Sequence, residues 1–220
     1  MELKEAITTR WSCRAFKSDA LPESVIQDIL TTAARSPSYA NTQPWEIVVV
    51  AGQKLAELNR RRAELISANV PSNPDISVPS AWPALHQERS RAFAAQRQEV
   101  MNAAKADAKS NYETTTQSSQ FFGAPCAIFL VIDKTLTEWS IFDMGLFTQS
   151  FILAAHERGL GTCIQAGVVR YPAEVRKILG IPETKKLVVG ISIGYPLMES
   201  KMNAMRSART DIRELTKWYK

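Results

Sequence analysis

The chain has 220 residues, 45% of them hydrophobic, with a formal charge of +5. That size and apolar content suit one sizeable core in a single domain spanning residues 1–220. The basic balance equally suits phosphorylated cofactors or anionic substrates, and without a Lys/Arg-rich tail or a zinc-finger or RNA-binding signature nucleic acid is not an expected partner.

Cys13, Cys126 and Cys163 are far apart and form no Cys-x-x-Cys, and the only histidines are His86 and His156. A Cys/His metal site is therefore not expected, and reduced thiols in an intracellular protein are the simpler account. The first thirty residues lack a basic region followed by an apolar run, so no signal peptide is expected. The longest apolar stretch, around residues 141–155, is broken by Asp143, Gln149 and Ser150 and does not read as a membrane span. A cytoplasmic location follows as the expectation.

In chain order, residues 2–9 read as a short helix ending near Arg10. The next segment alternates, with Arg10, Ser12 and Arg14 on one side and Trp11, Cys13 and Ala15 on the other. Two guanidiniums and a hydroxyl on one face suit a phosphate, because Arg offers a planar fork of donors. Spacing alone leaves a solvated edge strand with unrelated charges as the alternative.

Pro22 opens a helix whose one-sided stripe is Val25, Ile26, Ile29, Leu30, Ala33 and Ala34, and Pro37 ends it. Pro37-Ser38-Tyr39-Ala40-Asn41-Thr42-Gln43-Pro44-Trp45 then forms a loop stiffened by two prolines and rich in hydrogen-bonding groups, a common setting for ligand contacts. A decorated connection is the plain alternative. Glu46 to Val50 is a buried strand, and Gln53 to Ser67 a polar helix whose Arg60-Arg61-Arg62 run reads as a solvated face.

Residues 68–81 hold three prolines and little pattern, and Trp82 to Lys109 reads as a polar helix. Together they form a lid-like insertion of about 68–116, with Trp82, Phe93, Tyr112, Phe121 and Phe122 as candidate aromatic walls. Cys126 to Ile132 is a second buried strand. Ile141 to Arg158 is apolar nearly all round and therefore central, with Gly159 and Gly161 as its stop.

Thr162 to Val168 is a strand-and-turn unit whose small residues let the backbone approach a flat ligand. Tyr171 to Leu179 is a helix, Leu187 to Ile193 a third core strand, and about 197–220 a C-terminal extension carrying Arg206 and Arg209 ahead of a short helix ending near Trp218. The fold class is α/β in its α+β form, a mixed central sheet flanked by helices. No Gly-x-Gly-x-x-Gly and no Gly-x-Ser-x-Gly is present, which argues against a dinucleotide-binding Rossmann domain and an α/β-hydrolase.

Arg10-Trp11-Ser12-Cys13-Arg14, followed by Pro37 to Trp45, then Gly159-Leu160-Gly161-Thr162, Gly194-Tyr195-Pro196 and Arg206-Ser207-Ala208-Arg209, resembles the flavin-dependent nitroreductase family. Each piece is weak alone; their order over nearly the whole length is specific. The resemblance implies a domain-swapped homodimer that binds FMN across its interface. Arg10, Trp11, Ser12 and Arg14 would address the ribityl phosphate, and Pro37, Ser38, Tyr39, Ala40 and Asn41 would come from the other subunit. Ile164, Gln165, Ala166 and Gly167 would lie against the isoalloxazine ring, and Arg206, then Arg209, would reach the phosphate.

A subgroup of the family carries Glu where Gln165 stands here, which leaves subgroup and nicotinamide handling open. No catalytic side chain is expected, because the chemistry is at flavin N5, and His156 reads as packed. The implied activity is ping-pong hydride transfer from NADH or NADPH to a small aromatic acceptor, a nitroaromatic or a quinone. Lys/Arg around 60–62 and 89–97 suggest an anionic acceptor such as a nitrobenzoate. Same-fold dehalogenation or enone reduction, a non-catalytic flavin-binding protein, and a flavin-fragmenting enzyme of the vitamin B12 pathway stay open at this point.

Overall fold

The structure is a computed structural model that describes residues 1–106 and 118–220. Tyr112 and the expected end of the insertion lie outside the described residues. In the sheet, β1 (Glu46–Ala51), β2 (Cys126–Asp133), β3 (Gly161–Gln165) and β4 (Lys185–Gly194) stand in the order β1-β2-β4-β3. The expected helix-flanked sheet is present. Its named strands pair antiparallel throughout, and the parallel pairing among the described residues is the single bridge between Ser12 and Thr162.

The helices are α1 (Leu3–Thr9), α2 (Glu23–Ala33), α3 (Gly52–Ser67), α4 (Ala84–Ala106), α5 (Glu138–Glu157), α6 (Pro172–Leu179) and α7 (Ile212–Leu215). Alternation along β2 feeds two cores. Ala127, Phe129 and Val131 pack with Leu55 and Leu58 of α3, Phe121 and Val175 of α6; Cys126, Ile128, Leu130 and Ile132 pack with Ile26 and Ile29 of α2 and Phe147 and Phe151 of α5. A bulge opposite Leu130/Val131 shifts the parity of β4, so Leu187 enters the first core while Ile191 and Ile193 enter the second.

Several boundaries move for local reasons. Pro22 is the N-cap of α2 and not its first turn, and α2 ends at Ala33, before Pro37. Gly159, at φ 73°, ends α5 through Leu160 N–H on Ala155 O (3.0 Å) and Gly159 N–H on His156 O (2.9 Å). Gly161 has a different task, because a Cβ there would lie 2.6 Å from Cys13 Sγ. It lets the Arg10–Arg14 segment lie directly on β3.

The Arg60-Arg61-Arg62 run is not a solvated face throughout. The buried stripe of α3 is Leu55, Leu58, Arg62 and Leu65, which turns Arg62 inward to 2% exposure. Phe121 and Phe122 are core residues, and Trp82 is largely exposed.

Candidate active site

The segment after α1 is held on both sides. Cys13 N–H donates to Thr162 O at 2.8 Å, and Arg14 N–H donates to the side-chain oxygen of buried Asn203 at 2.7 Å. Asn203 in turn donates to Ala15 O (2.8 Å) and Leu197 O (2.9 Å). Its own carbonyl accepts from Arg206 at 2.7 Å. One buried amide therefore sets the N-terminal arginine segment and the C-terminal one side by side.

Between them opens a cavity of about 570 Å³ lined by Arg10, Trp11, Ser12, Arg14, Arg206 and Arg209. Phe93, from α4, and Met205 also face it. The Arg206 guanidinium lies 4.5 Å from the Trp11 ring centre, and that of Arg14 lies 6.0 Å from the Phe93 ring. Burial lowers the Arg10 pKa from its ordinary value, and the like charge of Arg209 adds to the effect. Among the described residues no carboxylate pairs with any of the four guanidiniums. Trp11 Nε1 is buried without a hydrogen-bond partner. Four cations and an orphaned donor around one cavity fit the phosphate monoester of FMN.

The other candidate residues lie elsewhere in the chain. Pro37, Ser38 and Tyr39 line a separate hollow of about 270 Å³ with Trp139, Phe142, Asp143 and Leu146. There the buried Asp143 carboxylate accepts from Tyr39 N–H at 3.1 and 3.2 Å, and Ser38 Oγ accepts from Gln43 N–H at 2.9 Å. These anchors hold Ala40, Asn41 and Gln43 at φ of 49°, 56° and 46°, a left-handed conformation that non-glycine residues keep only under constraint. Ala40 and Asn41 are exposed. One chain thus does not bring this loop to the arginine cavity.

At the end of β3, Ile164 is exposed and Gln165 is buried, with Ala166 and Gly167 exposed in the following turn. The Gln165 amide points inward, donating to Ser118 O at 2.9 Å and accepting from Ser192 Oγ. Arg62 donates to Gly167 O at 3.1 Å and also to Ser119 O, so this turn is tied from inside the core. His156 is bonded to Thr9 Oγ1 at 2.9 Å and meets the Trp11 ring edge-on. Burial, followed by Arg10, lowers its pKa. The three thiols are buried, and burial raises Cys13 to about 12 and Cys126 to about 11.

Residues 7–195 match the Nitroreductase family. The chain belongs to that family. It is similar to a 4-nitrobenzoate reductase of Pseudomonas putida, 29% identical over 204 residues that make up 92% of this chain and 89% of that protein. Nitroreductase NfnB of Mycolicibacterium smegmatis is 30% identical over 96% of this chain and 90% of its own length. The crystal structure of the FMN-dependent nitroreductase NfnB from Mycobacterium smegmatis in complex with NADPH covers 99% of this chain and 97% of its own, with a TM-score of 0.89 at 28% identity.

Sequence reading of this nitroreductase missed Asn203, Asp143 and Arg62. Asp143 left a signal, as a charge inside the most apolar helix. Asn203 left none, because its partner Arg14 is 189 residues away.

Proposed function

We propose that this protein is an FMN-dependent NAD(P)H oxidoreductase that reduces nitroaromatic acceptors, nitrobenzoates among them. The observation that carries the reading is the cavity rimmed by Arg10, Arg14, Arg206 and Arg209 without a paired carboxylate, on a chain of the nitroreductase family. Bound FMN supplies the hydride relay between the nicotinamide donor and the acceptor. The protein binds, orients and excludes water.

Arg10, Ser12 and Arg14, with Arg206 and Arg209, hold the phosphate, and Trp11 supports the Arg206 guanidinium from its ring face. The Ile164–Gly167 turn offers backbone to the flavin ring, stiffened by Arg62 on Gly167 O. No side chain is assigned a proton-transfer role, since His156 is committed to Thr9 and Trp11.

The arginine run at 60–62 does not carry the nitrobenzoate assignment. Arg61 is bound by Glu64 and Glu174 and Arg62 is buried, so neither awaits an acceptor. The likeness to the 4-nitrobenzoate reductase supports it instead.

A homodimer completes the site. The Pro37–Asn41 loop of a second copy would face the arginine cavity, and exposed Tyr39, Trp139 and Phe142 are the apolar surface that copy would cover. The 197–220 extension, with Ile212, Leu215, Trp218 and Tyr219 exposed, wraps the partner. The described part of the insertion, residues 68–106 with α4, covers the acceptor side.

The test is a visible spectrum of the purified protein, followed by anaerobic NADPH and then a nitrobenzoate. Flavin bands bleached by NADPH and restored by the acceptor are expected, together with a dimer on gel filtration. A colourless protein that takes up no added FMN overturns the reading.

A further inference from the structure

The inward side of α4 runs through Phe93, Arg97, Val100, Met101 and Ala104, positions that share a face at 3.6 residues per turn. Phe93 lines the arginine cavity, while Val100 and Met101 pack on the small core of Ala15, Ala104 and Met202. Arg97 therefore puts a charge into an apolar stripe.

Its surroundings offer no compensation. Arg97 Nε is buried without a hydrogen-bond partner, and no carboxylate pairs with this side chain among the described residues. Its neighbour is another cation: Arg14 lies against Phe93, one turn earlier on the same face, and the like charge of Arg97 joins burial in lowering the Arg14 pKa. The adjacent Gln96 donates to Arg206 O at 2.9 Å, which holds this turn of α4 at the rim of the cavity. A partly buried cation beside a like charge calls for a counter-ion.

We infer that Arg97 is a fifth guanidinium of the cofactor-phosphate site, supplied by the insertion helix, and that phosphate binding fastens α4 onto the Arg14 segment. This rests on the FMN reading above. The acceptor-side helix is thereby coupled to cofactor occupancy through charge.

The experiment compares FMN with riboflavin, which carries the same ring without the phosphate, on the wild type, Arg97→Ala and Arg97→Leu. Arg97→Ala is expected to weaken FMN about tenfold or more, to leave riboflavin affinity unchanged and to flatten the salt dependence of FMN binding. Arg97→Leu is expected to raise the Tm of the FMN-free protein while weakening FMN, because it removes a charge from an apolar stripe. Hydrogen exchange over residues 96–104 should slow more with FMN than with riboflavin in the wild type, and the difference should vanish in both variants. Equal loss of FMN and riboflavin affinity, or a lower FMN-free Tm with FMN affinity retained, overturns the inference in favour of a packing role. Wild type that binds FMN alongside variants that bind it equally well overturns this inference alone. Wild type that binds no FMN overturns the functional reading itself.

Discussion

Two groups of arginines occupy this chain, and they differ in what faces them. Around α3 and α6, Arg61 meets Glu64 and Glu174, Arg62 donates to Ser119 O and Gly167 O, and buried Arg176 pairs with Asp75 and reaches Glu183 at 3.9 Å. Around the N-terminal segment, Arg10, Arg14, Arg97, Arg206 and Arg209 have no carboxylate among the described residues. In the first group Arg61 and Arg176 are paired with carboxylates and Arg62 is held by two backbone carbonyls, its Nε left without a partner, and all three tie parts of the fold together. The second is a concentration of positive charge whose counter-ion must come from outside, which is what distinguishes a ligand site from a structural network.

That contrast can be broken from either side. The largest effect is expected for the double variant Arg14→Ala, Arg206→Ala. Each lost charge-assisted bond is worth roughly 1.5–3 kcal/mol, so FMN affinity should fall by about 10²–10⁴-fold while the FMN-free protein melts near the wild type. Fluorescence titration and calorimetry check this; unaltered FMN affinity would remove the phosphate assignment. Arg176→Ala should do the reverse. It leaves Asp75 facing the core without its cation and should cost about 3–5 kcal/mol in denaturant unfolding, with FMN affinity of the folded fraction unchanged.

A smaller effect, about 1–3 kcal/mol, is expected for Gly161→Ala, whose methyl would meet Cys13 Sγ at 2.6 Å and push the arginine segment off β3. FMN affinity should drop with stability here, because the same displacement moves Arg14; a Tm equal to wild type would show that the contact relaxes freely.

The smallest effect concerns pH. The hydrogen bond from Arg61 lowers the Glu174 pKa, so the pair stabilises above the ordinary Glu value of about 4.3 and loses that contribution as pH falls through the lowered folded value. Melting curves of wild type and Glu174→Gln should therefore differ slightly at neutral pH and converge in acid. A gap that widened in acid would contradict the pairing.

Much of the fold was legible in local pattern. The α2 stripe buries Ile26, Ile29 and Ala33, α5 packs centrally and the continuous apolar run of β2 is buried. By contrast β1, which reads as a buried strand, lies at the sheet edge, buries only Val50 and leaves Val49 exposed. Where local pattern misled, a distant contact had overruled it. Gly161 reads as a helix stop beside Gly159, yet its lack of a side chain answers to Cys13, and Arg62 reads as one of three surface charges until the α3 stripe turns it inward. The candidate site was legible as residue types. Which of those residues share a cavity was not, because Asn203 and Arg14 meet across most of the chain.

By itself, then, the amino-acid order determined most of the elements and the motif residues, since these depend on spacing within a turn or a strand. It reads as giving one core, which the folded sheet divides in two. The tertiary structure decided which guanidiniums are neutralised and which are left charged, that Gln165 faces Ser118 and Ser192, and that the Pro37–Asn41 loop opens away from the arginine cavity of its own chain. Counter-charge and enclosure are properties of packed neighbours, and packing joins residues that no local period relates.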